Sequence, residues 1–169
     1  MILTSKSQLN LYGLDNQILE LINLYNKDSL PNKILFSGVK GIGKCTLAYH
    51  LINYILSIDE DFSYDKKNFS INPQNKSYKL ILNKSNPNFH LVDVSEDKMI
   101  IDINQIREVI KNMNKSSFNQ KPRFVLIDNI EYLNDNSVNS LLKSLEEPNS
   151  NYHFILIHNN RKILPTLLS

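Results

Sequence analysis

Three of the chain's four glycines fall within six residues, in the run Gly38-Val39-Lys40-Gly41-Ile42-Gly43-Lys44-Cys45-Thr46. The short apolar segment Ile34-Leu35-Phe36 precedes it. After it, Leu47, Ala48, Leu51, Ile52 and Ile55 recur at helical spacing. A strand, a glycine turn and a helix in that order match the first seven positions of G-x-x-x-x-G-K-[ST]. Glycines let the backbone curl until successive N–H groups point at phosphate oxygens, and the start of the helix adds positive potential. Lys44 is placed to reach β and γ phosphates. Gly38, Gly41, Gly43, Lys44, Cys45 and Thr46 are therefore the candidate nucleotide-binding residues, and ATP is the cofactor they suggest.

The same run carries a chemical defect. The residue after the lysine needs a hydroxyl to ligate magnesium, and here it is Cys45, whose soft sulfur suits a hard cation poorly. Thr46 has a hydroxyl, but one residue further along a helix points roughly 100° away. A second defect follows the apolar run Phe124-Val125-Leu126-Ile127-Asp128. Asp128 stands where a nucleotide site keeps a carboxylate for magnesium, and the next residue should be the glutamate that polarises water. It is Asn129, and an amide is no general base. Nothing in the spacing of Glu131 brings it to a γ-phosphate, and its plain reading is a solvated loop or helix-cap carboxylate. Asn159 or Asn160, after the last apolar run, falls where a polar sensor of the γ-phosphate would sit, although a turn-forming pair reads equally well. Features that shape a site persist while two that hydrolysis needs are missing, so the residues point to binding or scaffolding rather than turnover.

With 169 residues the chain has room for one domain with a core. Helices are expected over Leu14 to Tyr25, Lys44 to Ser57, Asp102 (as N-cap) onward with Ile103, Ile106, Ile110 and Met113 inward, and Asn134 or Asp135 to Pro148. Strands are expected at Ile34 to Phe36, Phe89 to Val94, Phe124 to Ile127 and His153 to Ile157. That alternation predicts an α/β fold with a mostly parallel sheet. Residues 59–88 are polar and read as an irregular insertion with a short helical piece near Tyr78 to Leu82. Its charged residues, Asp59 to Asp61 with Lys66 and Lys67, read as solvated.

Net charge is only +2, so the chain alone carries no strong footprint for nucleic acid. One cysteine excludes a disulfide framework and a multi-cysteine zinc site, and the four histidines lack metal-ligand spacing. No run approaches the ~18 apolar residues of a membrane span, and no leader peptide is evident, so a cytoplasmic location is expected.

With these residues in place, Asn139-Ser140-Leu141-Leu142-Lys143-Ser144-Leu145-Glu146-Glu147-Pro148 resembles the Leu-Glu-Glu-Pro helix of clamp-loader AAA+ subunits. Leu11-Tyr12-Gly13-Leu14-Asp15 is similar to that family's segment beside the adenine, and Ile103 to Asn112 to the helix before its second nucleotide motif. Ile163 to Ser169 resembles the approach to a Ser-Arg-Cys motif, which would make Ser169 an interface residue. Lys44-Cys45 and Asp128-Asn129 depart from the motor (gamma/tau) pattern and look like the delta-prime type, whose nucleotide site is often degenerate. The resemblance implies a three-layer P-loop (AAA+) fold with sheet order 5-1-4-3-2, the fifth strand and the lid and collar domains lying beyond residues 1–169. It implies a stator role in DNA polymerase III, with gamma/tau and delta subunits as partners and the sliding clamp and primed DNA reached through the assembly. An active motor-type ATPase, with Glu131 or a partner group as base, is the alternative. The zinc module of some relatives has no cysteines here, and the insertion at 59–88 takes its place.

Overall fold

The apolar runs become strands because they are short, rich in Ile, Val, Leu and Phe, and bounded by turn residues. In a computed structural model that describes residues 4–92, 103–113, 119–133, 139, 143 and 151–159, they are β1 (Lys33–Ser37), β2 (Phe89–Val92), β3 (Arg123–Ile127) and β4 (Tyr152–His158). All pairings are parallel and the order is β1-β4-β3-β2. This is the expected α/β sheet, with the four strands in the 1-4-3-2 part of the expected order. The helices are α1 (Asp15–Asn26), α2 (Lys44–Leu56), α3 (Lys76–Leu82) and α4 (Ile103–Met113). The expected cap Asp102, most of the helix from Asn134 to Pro148, and the segment after Asn159 lie outside the described residues. Within that helix Asn139 and Lys143 are helical and exposed.

The chain divides into two compact units, one of residues 1–31 and 43–88, the other of 32–42 and 89–169. In the second, every residue of β3 is buried, as the interior strand of a parallel sheet requires. Val92, Val125, Ile127, Phe154 and Leu156 form one side of its core with Ile106 of α4 and with Ile130 and Leu133 beyond β3. At the start of β3 the buried Arg123 lies over the Tyr152 ring, 5.7 Å from its centroid. Burial, and then the Arg123 charge, lower the pKa of His90. His153 stacks on Phe124.

The first unit is built around α2. Its Leu47, Ala48, Leu51, Ile52 and Ile55 are buried as the periodicity predicts, but so are Tyr49, His50, Asn53 and Leu56. The helix is enclosed well beyond its apolar stripe, by α1, α3 and the N-terminal 3-10 turn Ser5–Ser7. Residues 57–88 help to wrap it, and their interior mixes apolar side chains such as Ile71 and Ile81 with many polar ones. Asn53 and Asn75 exchange side-chain amide hydrogen bonds of 3.1 and 3.0 Å. Asn75 also caps α3 by accepting from the Tyr78 N–H. Ser57 Oγ donates to Asn53 and accepts from the Tyr64 N–H. His50 lies between the Tyr64 hydroxyl, 2.8 Å from Nδ1, and the Gln8 carbonyl, 2.9 Å from Nε2. A carbonyl only accepts, so Nε2 carries the proton and Nδ1 receives the tyrosine hydrogen. Burial lowers the His50 pKa and raises that of Tyr64, keeping both neutral. Glu60 is not a solvated charge: its carboxylate accepts the Ser77 N–H at 2.8 Å and the Ser77 hydroxyl, at the start of α3. The backbone closes the unit, with Leu11 N–H donating to Phe69 and Ile71 N–H to Leu9.

Candidate functional site

The glycine run is one continuous segment whose first part, Gly38–Ile42, continues β1, and whose second part opens α2. Gly38 extends the β1–β4 ladder, its N–H donating to the His158 carbonyl at 3.3 Å. Gly41 has φ +92 with open space where a Cβ would stand, so backbone conformation rather than room demands glycine there. Gly43 has φ +97, and a Cβ on it would meet the Leu14 side chain at 3.4 Å. Gly43 is the N-cap of α2, and Leu47 N–H makes the first helical bond to its carbonyl, at 2.9 Å. The glycine turn thus leads directly into the first turn of α2, and a helix start is where anions are received in other proteins. Lys44 is buried, with Cys45 and Thr46 half-buried.

The other candidate residues meet where β3 and β4 end. Asp128 N–H still pairs with the Val92 carbonyl of β2 at 3.0 Å. Asn129 then turns the chain in the left-handed region, φ 57 and ψ 52, and starts the 3-10 turn Ile130–Tyr132. Asparagine tolerates this conformation better than other residues with side chains. Its N–H reaches back to Asp128 Oδ1 at 2.9 Å. From β4, the Asn159 side-chain nitrogen lies 2.7 Å from Asn129 Oδ1 and 3.5 Å from Asp128 Oδ1. The Asn159 N–H donates to Glu131 Oε2 at 3.3 Å. Asp128, Asn129, Glu131 and Asn159, all half-buried, therefore form one connected cluster. His158, next in chain, is fully buried, and among the described residues neither ring nitrogen has a partner.

Each candidate magnesium ligand, taken by itself, suits the ion badly. The loop offers a sulfur where a hydroxyl is needed, and Asp128 Oδ1 already accepts from the Asn129 N–H with the Asn159 amide near it. The phosphate part of a nucleotide fits better, since glycine conformations and a helix start are both present. The structure brings Asp128 and Asn159 near one another, and Glu131, expected as a solvated loop or helix-cap carboxylate, stands in the first turn of the 3-10 helix. Its partner is a backbone N–H 28 residues away, and no local pattern signals such a contact. Asn160 and Ser169 lie outside the described residues. Among those residues no helix is long and apolar enough to cross a membrane.

A parallel α/β sheet in the order β1-β4-β3-β2, with a glycine loop running from β1 into a helix, defines a P-loop nucleotide-fold protein. The chain belongs to the family described as "DNA polymerase III, delta subunit", whose model it matches over residues 13–169. It is 28% identical over 150 residues to the DNA polymerase III subunit delta' of Bacillus subtilis, covering 88% of this chain and 43% of that protein. The corresponding subunit of Buchnera aphidicola subsp. Schizaphis graminum is 26% identical over 151 residues, covering 89% and 44%. The gamma/tau subunit of Mycoplasma genitalium is 30% identical over 127 residues, 75% of this chain and 20% of that one. The chain thus spans less than half the length of these curated relatives. Among solved structures, a DNA polymerase III gamma subunit-related protein of Thermotoga maritima superposes with a TM-score of 0.57 at 18% identity, covering 88% of this chain and 42% of that one. That likeness speaks for the fold.

Proposed function

We propose that residues 1–169 are the AAA+ part of a clamp-loader stator subunit of DNA polymerase III, a cytoplasmic protein that helps place the sliding clamp on primed DNA without turning over ATP. The observation that carries this reading is Asn129. It occupies the position of the catalytic glutamate, and its side chain is held by Asn159 in a hydrogen bond of 2.7 Å. An amide so placed neither accepts a proton from water nor polarises it. Cys45 supports the same reading from the magnesium side. The candidate nucleotide-binding residues remain Gly38, Gly41, Gly43, Lys44, Cys45 and Thr46. ATP would be held weakly, through backbone N–H groups and Lys44, with Asp128 the remaining carboxylate for magnesium. Partners are the gamma/tau and delta subunits, and Ser169 belongs to the surface that faces a neighbour.

The relatives named delta' support the stator reading, and the gamma/tau relative keeps an active motor as its rival. Assembly with gamma/tau and delta subunits of the same cell, followed on a gel-filtration column, tests the first. Co-elution is expected, and a chain that never joins the complex contradicts it. The rival is tested with Cys45→Thr, which restores the missing hydroxyl. Stronger magnesium dependence of ATP binding with no turnover is expected, whereas turnover would show that cysteine alone silenced a motor.

A further inference from the structure

We infer that Asp128, Asn129, Glu131 and Asn159 form a connected hydrogen-bond lock, in which Glu131 is the positioning residue and which leaves Asn159 unable to distinguish a nucleoside triphosphate from a diphosphate. The orientation of the Asn159 amide follows from its neighbours. A carboxylate only accepts, so the side-chain atom beside Asp128 Oδ1 must be the nitrogen. That nitrogen has two hydrogens and, among the described residues, two acceptors within reach, Asn129 Oδ1 at 2.7 Å and Asp128 Oδ1 at 3.5 Å. The remaining polar atom of the side chain, Oδ1, is an acceptor. A γ-phosphate oxygen is an acceptor too, so the two form no hydrogen bond.

The backbone of the same residue is held separately. Beyond the last ladder pair of β4, the Asn159 N–H would need water, and Glu131 Oε2 supplies the acceptor instead. Glu131 itself stands in the 3-10 turn that begins at the left-handed Asn129. The turn is closed by Tyr132 N–H on the Asn129 carbonyl at 3.1 Å and by Leu133 N–H on that of Ile130 at 3.0 Å. Both ends of Asn159 are thus tied to one short turn after β3. Through this bond Glu131 positions its neighbour, which deepens the stator reading. The lock itself does not depend on whether nucleotide binds.

The test is hydrogen exchange of the Asn159 backbone and side-chain amides by NMR on the whole chain. Glu131→Gln keeps an acceptor, and backbone protection of Asn159 within about threefold of the parent is expected. Glu131→Ala removes it, and exchange at Asn159 should rise by roughly tenfold or more while the Ile155 and Ile157 amides stay protected. Asn129→Gly suits the left-handed backbone but has no amide side chain, and should speed exchange of the Asn159 side chain alone. Equal protection in the Gln and Ala variants overturns the role of Glu131. In the parent chain, the Asn159 side-chain signals should respond identically to ATP and ADP, including by not moving. A response to ATP alone overturns the lock. Turnover accompanied by a silent Asn159 would instead refute the stator reading and leave the lock standing.

Discussion

Among the described residues, two asparagine pairs are joined through their side chains, and their surroundings differ. Asn53 and Asn75 are sealed from solvent, at 1% and 0% exposure. They bond reciprocally and share acceptors with Ser57 and Tyr78. Asn129 and Asn159 are half-buried at the strand ends and share a single bond, beside two carboxylates. In the sealed pair an unmet donor has no water to turn to, so the pair specifies how residues 57–88 wrap α2. In the open pair, water can replace a lost partner. That pair is expected to contribute little to folding. Similar chemistry thus serves the fold in one place and, on the proposed stator reading, quiets a site in the other.

The largest expected effect separates the two. Asn53→Ala leaves the buried Asn75 amide without its partner and should cost about 2–3 kcal/mol in urea unfolding. Asn129→Gly, measured the same way, should cost under about 1 kcal/mol. Equal costs would erase the contrast. Next is pH. The His50 pKa is depressed below its ordinary 6.5 by burial, so the unfolded chain binds the proton first. Stability is therefore fully present above pH 6.5 and declines as pH falls through the lower folded value. His90, depressed by burial and Arg123, acts in the same direction. His50→Gln should flatten the acid side of the profile without abolishing its slope, whereas an unchanged slope would mean that the buried histidine is not the titrating group. The smallest effect concerns helix ends. Lys84 follows α3 with φ 55, a conformation that favours glycine. Lys84→Gly should raise stability by about 0.5–1 kcal/mol in thermal unfolding, and destabilisation would show that the lysine side chain contributes a contact.

The strands and the glycine loop were legible because their signals are local. An apolar run between turn residues, or glycines ahead of an amphipathic helix, can be read within about ten residues. The ends of α1, α2, β1, β3 and β4 fall within one residue of where the periodicity puts them. The departures at Cys45 and Asn129 on which the proposed function rests were equally plain, since each is one residue type at a fixed position. Residues 59–88 were not legible in the same way. Much of their order comes from Asn, Ser, Tyr and Glu side chains bonding beside a few buried apolar residues, and polar residues without a period look like solvated loop. The partner of Asn53 is 22 residues away, and that of His50, Gln8, is 42 away. The partner of Glu131 was out of reach for the same reason. Its carboxylate meets a backbone group from another strand, so only the pairing of β3 with β4 reveals it.

The most direct measurement is titration of the chain with ATP, with and without magnesium, alongside a hydrolysis assay and a Lys44→Ala control. Weak binding that ignores magnesium, weakens in the control and yields no phosphate above background is the expected result. Magnesium-dependent binding with phosphate release that Lys44→Ala abolishes would contradict the stator reading, and would make this chain a motor despite Cys45 and Asn129.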